Sequence, residues 1–236
     1  IMQKTLSILL VLLATSTAAQ AFEVVGSEAR LGFSTLTGDT GFAKTSLQGA
    51  VELGFGPRFG MQADLGLFVF KDLGDTATGI TLHGLYHVTE QTSLGMFYGQ
   101  ERLNGETARL TGFEVGQTSA SFSGEAHIAL GKQGGNTMQL MGIGGRYSVS
   151  DKFGLGASLQ RADLDNDADV TRLGIKADMA LGQTATAFVE LGNLAGGIDG
   201  SGGSEGFVGI GADFKFGAKH GTTFGKRGLF DMLPGL

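Results

Sequence analysis

From residue 24 onward the chain alternates apolar and polar residues in one run after another, and that period of two constrains the fold more than anything else in the sequence. Side chains alternate across a strand, so each run has an oily face and a polar face. The clearest run is 59–69. Phe59, Met61, Ala63, Leu65, Leu67 and Val69 fall on one face, and Gly60, Gln62, Asp64, Gly66 and Phe68 on the other. Twelve strands are predicted: 24–35, 45–55, 59–70, 78–88, 92–102, 107–116, 118–130, 137–149, 153–162, 170–181, 184–193 and 207–217. A strand of about eleven residues, tilted by roughly 40°, covers the ~25 Å apolar band of a membrane barrel. Strands of soluble proteins are nearer five or six residues.

The connections read as alternately tight and long. Gly56-Pro57-Arg58, Thr89-Glu90-Gln91, Gln117, Ser150-Asp151-Lys152 and Gly182-Gln183 are tight, whereas most others are longer and rich in Gly, Asp, Asn and Thr. An all-β, up-and-down antiparallel transmembrane β-barrel of about 12 strands accounts for both features, with tight turns on one rim and longer loops on the other. Beyond residue 21 no apolar run approaches the roughly 18 residues of a membrane helix.

The first residues read as an export leader. Met2 is the expected start, Lys4 is a small basic region, Leu6 to Ala14 is an apolar stretch, and Ala19-Gln20-Ala21 fits the small-x-small cleavage pattern. The expected organisation is a signal peptide at 1–21, a barrel at 22–217 and a C-terminal periplasmic tail at 218–236.

Composition removes several classes. With no cysteine there is no disulfide, thiolate metal site or lipid anchor on a thiol. A formal charge of −6, one unit more negative without Lys4, argues against nucleic acid as a partner. The 42 glycines accompany 42% hydrophobic residues in regular alternation, which favours order over disorder.

Alternation alone does not say which face points inward, since a soluble barrel turns its apolar face in and a membrane barrel turns it out. The aromatic residues favour the membrane. Phe55, Phe59, Tyr86, Tyr147, Phe153, Phe214 and Phe216 all fall on the apolar face at strand ends near one rim, where an interfacial girdle belongs.

The last strand, Gly209-Ile210-Gly211-Ala212-Asp213-Phe214-Lys215-Phe216, is the most specific segment. In it the chain resembles Gram-negative outer-membrane β-barrel proteins of the porin-like kind. Gly211, Phe214 and Phe216 match the family's barrel-assembly signal, whereas Gly209 stands where a polar residue is usual and 20 residues follow Phe216. The resemblance implies outer-membrane localisation, contact with outer-membrane lipid and lipopolysaccharide, engagement of the barrel-assembly machinery and room for oligomers.

No catalytic or metal constellation emerges, and neither enzyme activity nor a cofactor is expected. His83 and His87 share a face but lie about 13 Å apart along a strand. The acidic loop 163–169 lacks the glycine and glutamate of a calcium loop, and the glycine-rich run 196–204, which lacks a phosphate-binding lysine, reads as a surface loop. Function therefore rests on the inward faces. These carry the acids Glu28, Glu52, Asp64, Glu125, Asp178, Glu190 and Asp213, the bases Arg30, Arg146, Arg172, Lys176 and Lys215, and His83, His87 and His127. If these residues line water, the protein is a porin-like channel for passive diffusion of small hydrophilic solutes. If they interlock, it is a non-conducting structural or surface-interaction barrel.

The tail has two courses open to it. It is basic at Lys219, His220, Lys226 and Arg227, then apolar at Leu229, Phe230, Met232 and Leu233. It can be a loose periplasmic extension, or its end can dock on the membrane interface or fold back into the barrel mouth, where its bases would meet inward acids.

Overall fold

The structure, a computed structural model, describes residues 22–71, 74–164, 168–198, 201–218 and 221–233. The leader, together with Lys219 and His220, lies outside the described residues. Twelve strands run β1 (Glu23–Leu36), β2 (Ala43–Phe55), β3 (Phe59–Phe70), β4 (Asp75–His87), β5 (Thr92–Leu103), β6 (Glu106–Thr118), β7 (Phe122–Gln133), β8 (Asn136–Ser148), β9 (Phe153–Leu164), β10 (Ala168–Ala180), β11 (Ala185–Ile198) and β12 (Ser201–Phe216). Each pairs antiparallel with its sequence neighbours, and β1 pairs with β12 from Ser27↔Phe216 to Leu36↔Phe207, closing the barrel. Closure leaves no free edge, so every strand has hydrogen-bonding partners on both sides.

Both chain ends of the barrel lie on one rim, the terminal rim, together with the turns 56–58, 88–91, 119–121, 149–152 and 181–184. At the opposite, distal rim the strands extend further than their sequences suggest. The expected long loops shrink to hairpins at Asn104-Gly105 and Gly134-Gly135, and the short-long alternation fails there. Asn104 (φ 51°) and Gly105 (φ 86°) both adopt the left-handed conformation of a two-residue hairpin turn whose twist matches the strands. The run 196–204, expected as a surface loop, instead supplies the paired ends of β11 and β12, with Gly196 opposite Gly203 and Gly197 opposite Gly202. Glycine-rich sequence disguised the pairing. The seventh strand also starts later than expected, at Phe122, because Ser119 accepts the Phe122 N–H in the preceding turn.

The apolar faces point outward. Leu65, Ile80, Met96, Phe113, Ile128, Leu130, Ile143, Ile175 and Leu191 are all exposed around the circumference, at 46% to 69% of full accessibility. A continuous band of this kind exceeds the few hundred Å² of apolar patch that water-soluble surfaces carry, so lipid is its solvent. All seven terminal-rim aromatics named above are exposed on this outer surface, and Phe59 and Tyr86 pack at 5.3 Å between ring centroids. Phe214 and Phe216 belong to that girdle. Gly211 faces the lumen, where a Cβ would collide with the Phe188 ring and the Leu31 carbonyl.

The inside is polar for most of its height and apolar near the distal rim. Leu110, Met138, Leu140 and Ala162 are buried there, forming a collar with Phe97, Ala108 and Ala129. Phe68, Phe70 and Ala77 continue it on β3 and β4.

Candidate functional site: a lumen divided by the tail

Beyond β12, Gly217 (φ 86°) and Gly221 (φ 120°) take left-handed conformations that favour glycine, and the described tail, 221–233, re-enters the barrel from the terminal rim. It climbs along the inner faces of β2 to β8. The Thr223 N–H donates to Glu52 at 2.6 Å, and Phe224 exchanges two hydrogen bonds with the Gln62 carboxamide, at 2.9 and 3.2 Å. The Gly225 N–H donates to Glu125 at 2.9 Å. Arg227 bridges Glu114 at 2.9 Å and Glu125 at 3.0 Å, while Lys226 pairs with Glu28. Burial opposes the charge on Arg227, but Glu125 and Glu114 more than offset this and hold its pKa above the ordinary arginine value.

The climb ends in a single helical turn, Leu229–Met232. Its leading N–H groups, on Leu229 and Phe230, donate to Glu101 at 2.7 and 3.1 Å. Lys44 donates to the carbonyls of Phe230 and Leu233, and Gln48 to Asp231. Phe230 packs 5.7 Å from both Phe68 and Phe70, and Met232 is buried in the collar. The tail thus spans most of the barrel height, with bases opposite acids and its apolar end in the apolar collar.

Beneath the tail sits a buried chain of polar contacts. His83 lies between Asp64 (3.1 Å) and Glu114 (2.6 Å), and its ring stacks with Phe224 at 6.5 Å. His87 contacts the Ser93 hydroxyl at 2.8 Å, and its Nε2 is 3.8 Å from Glu52. His127 meets the Phe97 ring edge-on at 6.4 Å. Among the described residues no group of three His, Asp or Glu is placed to hold a metal ion.

The other wall, β8 to β12 with β1, is arranged differently. Most of its charges pair with one another: Arg30 with Asp213 (2.5 Å), Arg146 with Asp178 (2.6 Å) and Arg172 with Glu190 (2.5 Å), with Lys176 3.7 Å from Asp213, while Glu28 of β1 turns to Lys226 of the tail. Arg146 reaches β10 by crossing β9 over Gly154, where any Cβ would collide with its guanidinium. Between this wall and the tail lies a cavity of about 720 Å³ lined by Arg30, Arg146, Arg172, Lys176, Glu190 and Lys215 from the wall and Thr222 to Arg227 from the tail. Gln160 Oε1 and Arg172 Nε, on residues that are register partners and both line the cavity, have no protein partner.

The inward residues singled out from sequence point into the barrel interior or its buried network in two groups, one against the tail and one along the opposite wall, and Glu28, His87, Glu125 and His127 lie where the two meet the cavity. Sequence reasoning missed Glu101, Glu114 and Lys44. The outward positions of Leu94, Met96 and Tyr98 put Glu101 on the inner face of β5 by parity. Strand β6 hid Glu114, because near the distal collar the apolar Leu110 faces in and Arg109 out, reversing the pattern.

No protein family and no curated protein matches the chain by sequence. By structure it is similar to the NanC porin, with a TM-score of 0.60 at 10% identity over 80% of this chain and 100% of that one. It is similar to the KdgM porin in complex with disordered oligogalacturonate, with a TM-score of 0.57 at 12% identity over 81% and 99%. An outer-membrane channel from Pseudomonas putida F1 gives 0.56 at 12% identity over 86% and 100%. The fold, a closed antiparallel barrel of twelve strands, is porin-like.

Proposed function

We propose that the protein is an outer-membrane channel for passive diffusion of small hydrophilic solutes, which travel along the cavity between the β8–β1 wall and the tail. One observation carries this reading: a charged cavity of about 720 Å³ inside a barrel whose exterior is suited to lipid. The similarity in fold to porins supports it. Cations from this wall interleave with their carboxylates along one side of the path, so a solute with anionic groups finds guanidinium and ammonium groups there to exchange with. The oligogalacturonate held by the KdgM porin is a polyanion of this kind. In this orientation the terminal rim faces the periplasm and β12 carries the assembly signal. The outer surface meets lipid, with lipopolysaccharide on the far leaflet.

A second reading is a non-conducting barrel with a structural or surface-interaction role. It is favoured by the distal collar, where Met232 of the tail packs among Leu110, Leu140 and Ala162, none of which lines the cavity. Refolded protein in a planar bilayer separates the two. The channel reading expects stepwise conductance, and assembled protein that never conducts, with or without its tail, selects the structural reading.

A further inference from the structure

We infer that the acidic inner wall of β2–β7 is a binding site for an extended cationic peptide with an apolar end, filled here by the tail and open to a peptide from solution when the tail leaves. The contacts are those that recognise a peptide as a peptide. Carboxylates of Glu52, Glu125 and Glu101 accept four main-chain N–H groups, Gln62 bonds both the N–H and the carbonyl of Phe224, and the Thr81 hydroxyl donates to the Arg227 carbonyl at 3.1 Å. Glu114 and Glu125 select a guanidinium, Phe68 with Phe70 an aromatic side chain, and Glu28 on the adjoining β1, at the edge of the site, an ammonium.

The wall is also shaped for this occupant. Gly95 and Gly116 leave space for the Phe224 ring, where a Cβ would come within 2.7 and 3.1 Å of it. Arg227 of the tail sits between Glu114 and Glu125 and is the cation the two share, while His83 of β4 contacts Glu114 from the wall itself at 2.6 Å. With the tail gone these carboxylates face the lumen without its cations, and the negative field they share attracts a replacement of the same chemistry.

This inference rests on the channel reading for access from solution. The test uses the barrel ended at Gly217 in a planar bilayer, with a synthetic peptide of the 222–233 sequence as probe. The truncated channel should prefer cations, and the peptide should block it in a dose-dependent way. A peptide carrying Lys226→Glu and Arg227→Glu should block more weakly by about tenfold or more. A conducting channel that ignores both peptides, or responds equally to both, overturns the inference and leaves the channel reading intact. An assembled but silent barrel overturns the channel reading; anisotropy of labelled peptide on that barrel then decides the binding site by the same comparison. If truncation prevents assembly, the full chain with Lys226→Glu and Arg227→Glu, whose tail is repelled by the wall, is challenged with the same two peptides: selective block by the native sequence supports the site, and equal or absent block overturns it.

Discussion

The two walls of the lumen are both charged, yet the tail lies against one and the cavity opens mainly on the other, with His87, Glu125 and His127 of the first at its margin. On the β8–β1 wall Arg30, Arg146, Arg172 and Lys176 find carboxylates within the wall: Arg30 and Asp213 are register partners on adjacent strands, and Arg146 and Asp178 join across a glycine. A surface that neutralises itself can stand beside water at little cost. The β2–β7 wall presents Glu52, Asp64, Glu101, Glu114 and Glu125 with few cations of its own, and a separate segment supplies the compensation. In this barrel the pairing of charges across strands distinguishes the wall beside the cavity from the wall the tail lies against.

The sharpest way to break this comparison is to remove a partner from each wall. Arg227→Ala leaves Glu114 and Glu125 without their guanidinium, and loss of one member of a buried pair costs about 3–5 kcal/mol. That loss should fall on tail docking, so limited proteolysis should cut within 221–233 while the barrel remains resistant. Arg146→Ala removes a 39% exposed side chain from Asp178, whose own side chain is 4% exposed, and should cost less, about 1–3 kcal/mol, since water from the cavity can replace the guanidinium. Equal effects from the two substitutions would erase the distinction between the walls.

A smaller effect tests the outside against the inside. Leu65 is 46% exposed on the outer face of β3, and Leu65→Arg should cost roughly 2–4 kcal/mol if it lies near the bilayer midplane. Refolding into lipid vesicles under denaturant measures this. Wild-type stability in the variant would mean that this face does not contact hydrocarbon. The neighbouring Asp64 is no innocuous control, because it is buried against His83 and Gln62.

The smallest expected change concerns the open wall. Arg146→Gln with Arg172→Gln removes two cations facing the cavity and should move the reversal potential toward cation preference without changing assembly. An unchanged reversal potential in a conducting channel would place the ion path elsewhere.

Much of the barrel was legible because period two is a strict consequence of strand geometry. Strand β3 emerges at its predicted bounds, Phe59–Phe70. The distal ends were not legible, since Gly196-Gly197 and Gly202-Gly203 carry no side chains to alternate. Parity could place Glu52, Glu125 and Arg172 on the inner face, but it could not say which wall each would join. That depends on residues brought together across strands, such as Arg146 with Asp178, and on the path of 221–233. The bases of the tail advertised an acidic partner, and only the register of β2 to β7 shows how many carboxylates converge on it.

The central claim, that the tail divides the lumen into a covered wall and a wet one, is tested most directly by cysteine accessibility, since the chain contains no cysteine of its own. Thr81, under the tail, is 4% exposed, and Ser158 faces the cavity from the opposite wall. A charged, water-soluble thiol reagent should modify Ser158→Cys rapidly and lower its conductance, while Thr81→Cys stays unreactive until the chain is ended at Gly217. Rapid modification of Thr81→Cys in the full-length protein, with Ser158→Cys protected, would contradict the account.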